Sequence, residues 1–318
     1  MPSDDYLAQP YEHEEEDMDL IEAMEARHAI RMYTDEPVAD DAIAALRQEI
    51  DVCNAESGLH TQMVTGLDDA FLGLKTHYGR FKGVHNAIAL IGSPAAVLAK
   101  GSEAAASVDS TATALADSGW TKEGAEDIAA TDPGEIALQQ TVGYYGERLA
   151  LKATQLGLAT SWAVLDGAMN ATDPWWTLAP GEKIVWVLAF GHGARPGGKH
   201  RSKPIEELCT LPEGEDMPDW FRKGMEAAML APTSLSQQPF HFTLHLGDAT
   251  GSSVAAAGSG DADADADADA TDATSGSADA ADGEVTAEAL DGLFAHVGLG
   301  CAKYHFEIGA APHKVEWR

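Results

Sequence analysis

The tightest constraint on how this chain can fold is a faint internal echo. ESGLHTQM (residues 56–63) lines up with PTSLSQQP (residues 232–239), setting Leu59 over Leu235, Gln62 over Gln238 and Ser57 against Thr233. Farther along, GLATSWA from Gly157 is echoed by GLGCAKY from Gly298, each after a stretch that looks helical. The two matches fall in the same order in both halves, so the chain reads as one unit written twice. The copies are unequal: the first has a basic pair before its echo and a basic tail after it, and the second has neither.

Composition sets the background for those cations. Against 52 Asp and Glu stand only 20 Lys and Arg, a formal charge of −32 over 318 residues, yet 45% of the chain is hydrophobic, enough for a core. A surface this acidic repels phosphate backbones and excludes nucleic acid as a first partner. Acid predominating outside the insertions as well, with few lysines, suits a cytoplasm near salt saturation, where screening removes self-repulsion. Residues 1–19 carry acids and no Lys or Arg, the opposite of a secretory leader, and no long apolar run offers a membrane span. Cys53, Cys209 and Cys301 are far apart and odd in number, which argues against a disulfide framework or zinc knuckle. A soluble, cytoplasmic protein is expected.

Much of the acid is local. The leader (residues 1–17), an Ala/Ser/Gly/Asp stretch (102–131) and an insertion at about 248–284 containing DADADADADA lack apolar periodicity and read as disordered, solvated segments. The Asp-Ala tract lacks the Gly turns that preorganise calcium ligands. The remainder divides into a first half at residues 18–210 and a second at 211–318. Helices are predicted over 18–30, over 40–53 with Asp40 or Asp41 as cap, and over 135–156 with Gly157 as the left-handed C-terminal residue. NAIALIG (86–92), KIVWVLAF (183–190) and FHFTLHL (240–246) read as strands. The class is α+β.

In so acidic a chain, clustered cations need a reason. ARHAIRMY puts Arg27, His28 and Arg31 at the end of the first predicted helix, and RSK (201–203) follows a strand and the loop GHGARPGGKH. Cations at a helix C-terminus complement its dipole. Two such clusters can also converge on a phosphate, held by Arg as a bidentate fork and by Lys as a point charge. Other constellations carry less. GHGARPGG has its third glycine in the wrong place for a dinucleotide fingerprint. His241 and His245 are two ligands without a third, so no metal is expected. The Trp175-Trp176 pair reads as packing, and His192 and His200 are assigned no role.

Together ARHAIRMY, PTSLSQQPFHF, GYYGERLALKATQLGLATSW and RSKP after a strand resemble the FMN-dependent nitroreductases, and their order resembles the type in which two family-like halves are fused in one chain. The resemblance implies a nitroreductase-like sandwich, a central mixed β-sheet flanked by helices, internally duplicated as a single-chain pseudo-dimer that works as a monomer. It implies a cofactor, FMN, whose phosphate would be met by Arg27, His28, Arg201 and Lys203, with Ala29 where the family usually has a phosphate-binding Ser. Arg31 would lie at the pyrimidine edge, stabilising charge that develops on reduction. The backbone of Trp162, Ala163 and Val164 would run beside the ring, and Pro232, Thr233 and Ser236 would reach it from the other half, with Gln238 supporting their loop. AVLDG after Trp162 lacks the family's Gly-Gly, Ser236 replaces an Asn and Phe240 a Trp. NAD(P)H would supply electrons to a small-molecule acceptor, a nitroaromatic or quinone, by a ping-pong cycle without a catalytic side chain. The alternative is a flavin-binding redox sensor or FMN reservoir with little turnover. With Glu56 at the Pro232 position and His60 at the Ser236 position, one FMN per chain is expected.

Overall fold

The computed structural model describes residues 18–101, 132–246 and 283–318. The acidic leader, the 102–131 stretch and nearly all of the Asp-Ala insertion lie outside the described residues.

Helix α1 (Leu20–Ala26) opens on a capping box: Asp19 accepts from the Glu22 N–H (2.8 Å), and Glu22 accepts from the Asp19 N–H (3.1 Å). It ends before the predicted residue 30, because the next residues pair with strands: Ala29 bridges Thr160 and the Ile30 N–H donates to the Thr160 carbonyl at 2.9 Å. This docking places the basic segment beside the first sheet. Helix α2 (Asp40–Ser57) is capped by Ala39, not by an aspartate. Asp40 and Asp41 occupy its first turn, where they complement the positive end of the dipole.

β1 (Gln62–Val64), β2 (Asn86–Gly92), β3 (Ala159–Ala163) and β4 (Lys183–Gly191) form an antiparallel sheet in the order β1-β2-β4-β3. NAIALIG is a continuous apolar run because β2 is covered on both faces. Ile88 and Leu90 face α2 and the long helix α4 (Pro133–Gln155), while Ala87, Ala89 and Ile91 face Phe71, Val84 and Trp176. Between β2 and α4, α3 (Pro94–Lys100) is capped by Ser93. Gly157, at φ +75°, follows α4 as expected.

The second sheet has the order β5-β6-β7-β8. Its members are β5 (Cys209–Thr210), β6 (Phe240–Leu246), β7 (Gly283–Ala289) and β8 (Glu316–Trp317). β6 and β7 are antiparallel and the two outer pairs parallel, so the mixed character lies in this sheet, and the described residues form two four-stranded sheets where one central sheet was expected. β5 closes the first half in sequence yet pairs with β6 of the second. α5 (Asp219–Ala228) and α6 (Ala295–Ala310) pack on this sheet through Phe221, Met225 and Phe306. No helix among the described residues is long and apolar enough to cross a membrane.

α4 and α6 join the halves, and their crossing is reciprocal. A Cβ on Gly143 would lie 2.0 Å from the Val297 carbonyl oxygen and 3.1 Å from the Cys301 nitrogen. A Cβ on Gly300 would lie 2.0 Å from the Gln140 oxygen and 2.8 Å from the Tyr144 nitrogen. The crossing therefore relates Gly143 to Gly300, Gln140 to Val297 and Tyr144 to Cys301. This register differs from the sequence echo, which set Gly157 over Gly298: GLGCAKY lies within α6, not after a helix. Short Gly-rich strings align in several registers, and only the contact selects one.

Gly143→Ala should therefore force the two helices apart and lower stability by about 3 kcal/mol, the upper range for overpacking. Urea unfolding followed by circular dichroism measures this. An unchanged midpoint would mean that the crossing relaxes freely.

Candidate functional site

A cleft of ≈ 300 Å³ opens where the halves meet. The first half contributes the end of α1 with Arg27, His28, Ala29 and Arg31, the β3 segment Ser161 to Val164, Trp186 of β4, and the loop with Gly198 to Arg201. The second contributes Met229 to Ser236, Gln238, and Phe294, Val297, Gly298 and Cys301 around the start of α6. Every residue predicted for the site lines this cleft except Lys203. The Lys203 ammonium donates to the Gln238 carbonyl at 3.2 Å, so this cation holds a loop and does not face the cleft.

The basic wall is built locally. Arg201 and Lys199 are exposed. His28 lies against His200, ring centroids 4.4 Å apart and the planes tilted by 34°, and is pushed toward its neutral form by burial first, then by His200 and Arg27. Gly197 makes that position possible, since a Cβ there would fall 2.1 Å from the His28 Cβ. Arg31 lies against Gly79, at φ +78°, with its guanidinium 5.9 Å from the Phe81 ring centre. Arg27 differs from expectation: it is 5% exposed, and its Nε sits 3.0 Å from Oε1 of the fully buried Glu147. That N–H is poorly directed at the carboxylate, and Nη1 has no hydrogen-bond partner among the described residues.

The opposite wall is aromatic. Phe294 packs edge-on against Trp186 (4.8 Å) and Tyr78 (6.1 Å), and Trp186 against Trp162 (5.8 Å). Trp162 fits because Gly146 has no side chain, a Cβ there falling 2.4 Å from the indole. The buried hydroxyl of Ser161, which lines the cleft, has no hydrogen-bond partner among the described residues.

The loop from the second half is held in an uncommon conformation. Leu235, Ser236 and Gln238 all have positive φ, at 54°, 55° and 47°. Such a cluster persists only when its surroundings determine it. Gln238, 2% exposed, supplies the determination. Its Nε2 donates to the Met229 carbonyl (3.0 Å) and Ser202 Oγ (3.0 Å), and its Oε1 accepts from the Lys203 N–H (2.7 Å). Its own N–H donates to Thr233 Oγ1 (3.0 Å). One amide thus ties the loop to the basic tail of the first half.

The positions that the α4–α6 crossing relates to this cleft carry paired side chains. Tyr144 stands where Cys301 lines the cleft, and its hydroxyl donates to Glu307. Arg148 is held there by Glu49 (2.5 Å) and Glu56 (2.7 Å). His60 pairs with Glu182 at 2.9 Å.

A family model described as "Putative TM nitroreductase" matches residues 19–101 and 106–310. The chain belongs to this nitroreductase family. No curated protein matches it. Among solved structures, a nitroreductase described as putative, from Thermotoga maritima, is 14% identical, with 95% of this chain and 88% of that one covered and a TM-score of 0.44. Another so described, from Desulfovibrio desulfuricans and in complex with FMN, is 22% identical over 63% of this chain and 98% of that one, with a TM-score of 0.40. An FMN-dependent nitroreductase from Clostridium difficile is 12% identical over 56% and 90%, with a TM-score of 0.36.

Within this family member, sequence reasoning missed Glu147, His305, His200 and the aromatic wall. Glu147 lies in GYYGERL, a segment already singled out, but a Glu between apolar positions reads as a solvated helix face. Among the described residues no group of His, Cys, Asp and Glu could hold a metal. His241 and His245 lie 2.8 Å and 2.9 Å from the hydroxyls of Thr210 and Thr286.

Gln238→Ala should cost about 2–4 kcal/mol through the polar groups it strands, and should open the 233–238 loop to protease. The exposed Gln237→Ala should do neither. Equal proteolysis of both variants would remove Gln238 from this role.

Proposed function

We propose that the chain is an FMN-dependent oxidoreductase that binds one FMN in the cleft between its halves and carries electrons from NAD(P)H to a planar, electron-poor acceptor such as a quinone or nitroaromatic. The observation that carries this reading is the pairing, in one cleft, of a basic wall with an aromatic one, in a chain whose net charge is −32. Bound FMN would supply the hydride and electron chemistry, in a ping-pong cycle with donor and acceptor entering in turn.

The residues present fit such a group. Arg201 and Lys199 offer a phosphate charge and hydrogen bonds, His28 adds a neutral hydrogen-bonding ring, Arg27 lies behind them, and the unpartnered Ser161 hydroxyl is a further polar contact. Arg31 would balance negative charge on the ring system. Tyr78, Trp186 and Phe294 would exclude water and offer faces for a flat acceptor. Tyr144 at the related position supports a stoichiometry of one.

Purified protein should be yellow and titrate to one FMN per chain. Arg201→Glu, at an exposed position, should weaken FMN binding by about tenfold or more with the circular dichroism spectrum unchanged. Colourless protein that takes up no FMN would overturn the reading. Steady-state NAD(P)H oxidation with a quinone separates an oxidoreductase from a sensor or reservoir, which would bind FMN and turn over little.

A further inference from the structure

Glu147 and His305 form a buried pair behind Arg27 that neither the family resemblance nor the proposed activity calls for. Both are fully buried, one on α4 and one on α6. His305 Nδ1 lies 3.0 Å from the Ala227 carbonyl oxygen, and Nε2 lies 3.1 Å from Glu147 Oε1. The ring thus stands between two acceptors, and a single ring proton can serve only one of them. A second proton must occupy the Nε2···Oε1 contact, carried by the imidazole or by the carboxyl. In either form the Glu147–His305 pair is neutral as a whole. The Arg27 guanidinium, 3.0 Å from the same Oε1, then keeps its positive charge uncancelled. Glu147 Oε2 accepts from Trp162 Nε1 at 3.1 Å, so the same carboxyl also fixes the indole between the cleft and α4.

We propose that Glu147 and His305 are positioning residues that share one proton and thereby keep the charge of Arg27 available to an anionic group in the cleft. Arg27 lines that cleft, is nine-tenths buried, and has Nη1 without a hydrogen-bond partner among the described residues. Without the shared proton, the carboxylate would neutralise the guanidinium. The groups facing the pair are few: Arg27 from the end of α1, Cys301 and Tyr304 from α6, the Trp162 indole from β3, and from α5 the Ala227 carbonyl. The phosphate of FMN is the anion taken here, so the inference rests on the flavin reading.

The test compares FMN with riboflavin, which lacks the phosphate, by fluorescence titration of the whole chain. Glu147→Gln keeps the shape and, beside a neutral His305, the same net charge, so it should bind FMN within about twofold of wild type. His305→Gln removes the shared proton and leaves the carboxylate against Arg27. It should weaken FMN by about tenfold, the effect of one nearby charge, and leave riboflavin unchanged. The double variant Glu147→Gln with His305→Gln should recover the FMN affinity, an outcome that a merely structural role would not give. Urea unfolding of each variant identifies any that is not folded, and for an unfolded His305→Gln the comparison passes to His305→Asn with and without Glu147→Gln. Wild-type protein that binds no FMN overturns the flavin reading together with this proposal. Wild type that binds FMN, with His305→Gln equally tight or the double variant no tighter than His305→Gln, overturns the proposal alone.

Discussion

At the α4–α6 crossing, backbone meets backbone because two side chains are missing. Gly143 and Gly300 let each helix press its main chain into the other, and the rest of the architecture is arranged around that contact. α4 carries the first sheet through Val142, Leu149 and Ala153, and α6 carries the second through Cys301, Ala302 and Phe306. A cleft lined by both sheets' neighbours can exist only if these helices stay at a fixed, short separation. Interiors are packed closely enough that a displacement of one methyl group there would be transmitted to the cleft walls.

The same helix pair explains why the buried polar groups are tolerated. Glu147, His305, Arg27 and Trp162 meet within hydrogen-bond or ion-pair distance, with Glu147 and His305 fully buried and Arg27 and Trp162 reaching the cleft. Buried charges are costly when one partner is removed, by about 3–5 kcal/mol, and of little net benefit when complete. Such a network is poorly explained as a source of stability and better explained by what it does to the cleft beside it.

Strands and long helices were legible where the local pattern had one interpretation. Residues 86–92 and 240–246 fell on β2 and β6, and the run ending at Gly157 on α4, because burial on defined faces writes itself into period and composition. The helix predicted over 18–30 ran too long because Ala29, Met32 and Tyr33 bridge to Thr160, Lys82 and Gly193, all distant in sequence. α6 was hidden by its apolar and glycine-rich start, AHVGLGCA, whose glycines do not signal a helix interior. At the site, the cations and the cross-half loop were readable from residue type against an acidic background. The partners of those cations were not: whether Arg27 meets a phosphate or Glu147, and whether Lys203 faces the cleft or Gln238, depends on how the halves dock.

The replacement of Cys301 by Tyr144 across the crossing has a consequence for what such a molecule can become. In an assembly of two identical subunits every side chain occurs twice, so a tyrosine closing one cleft would close the other. With both halves on one chain, each position is free of its counterpart. Arg148, Glu49 and Glu56 can then join one contact with ion pairs while the other remains an open cleft. A single chain can thus give two related surfaces different linings, one closed by paired charges and the other left as a cleft.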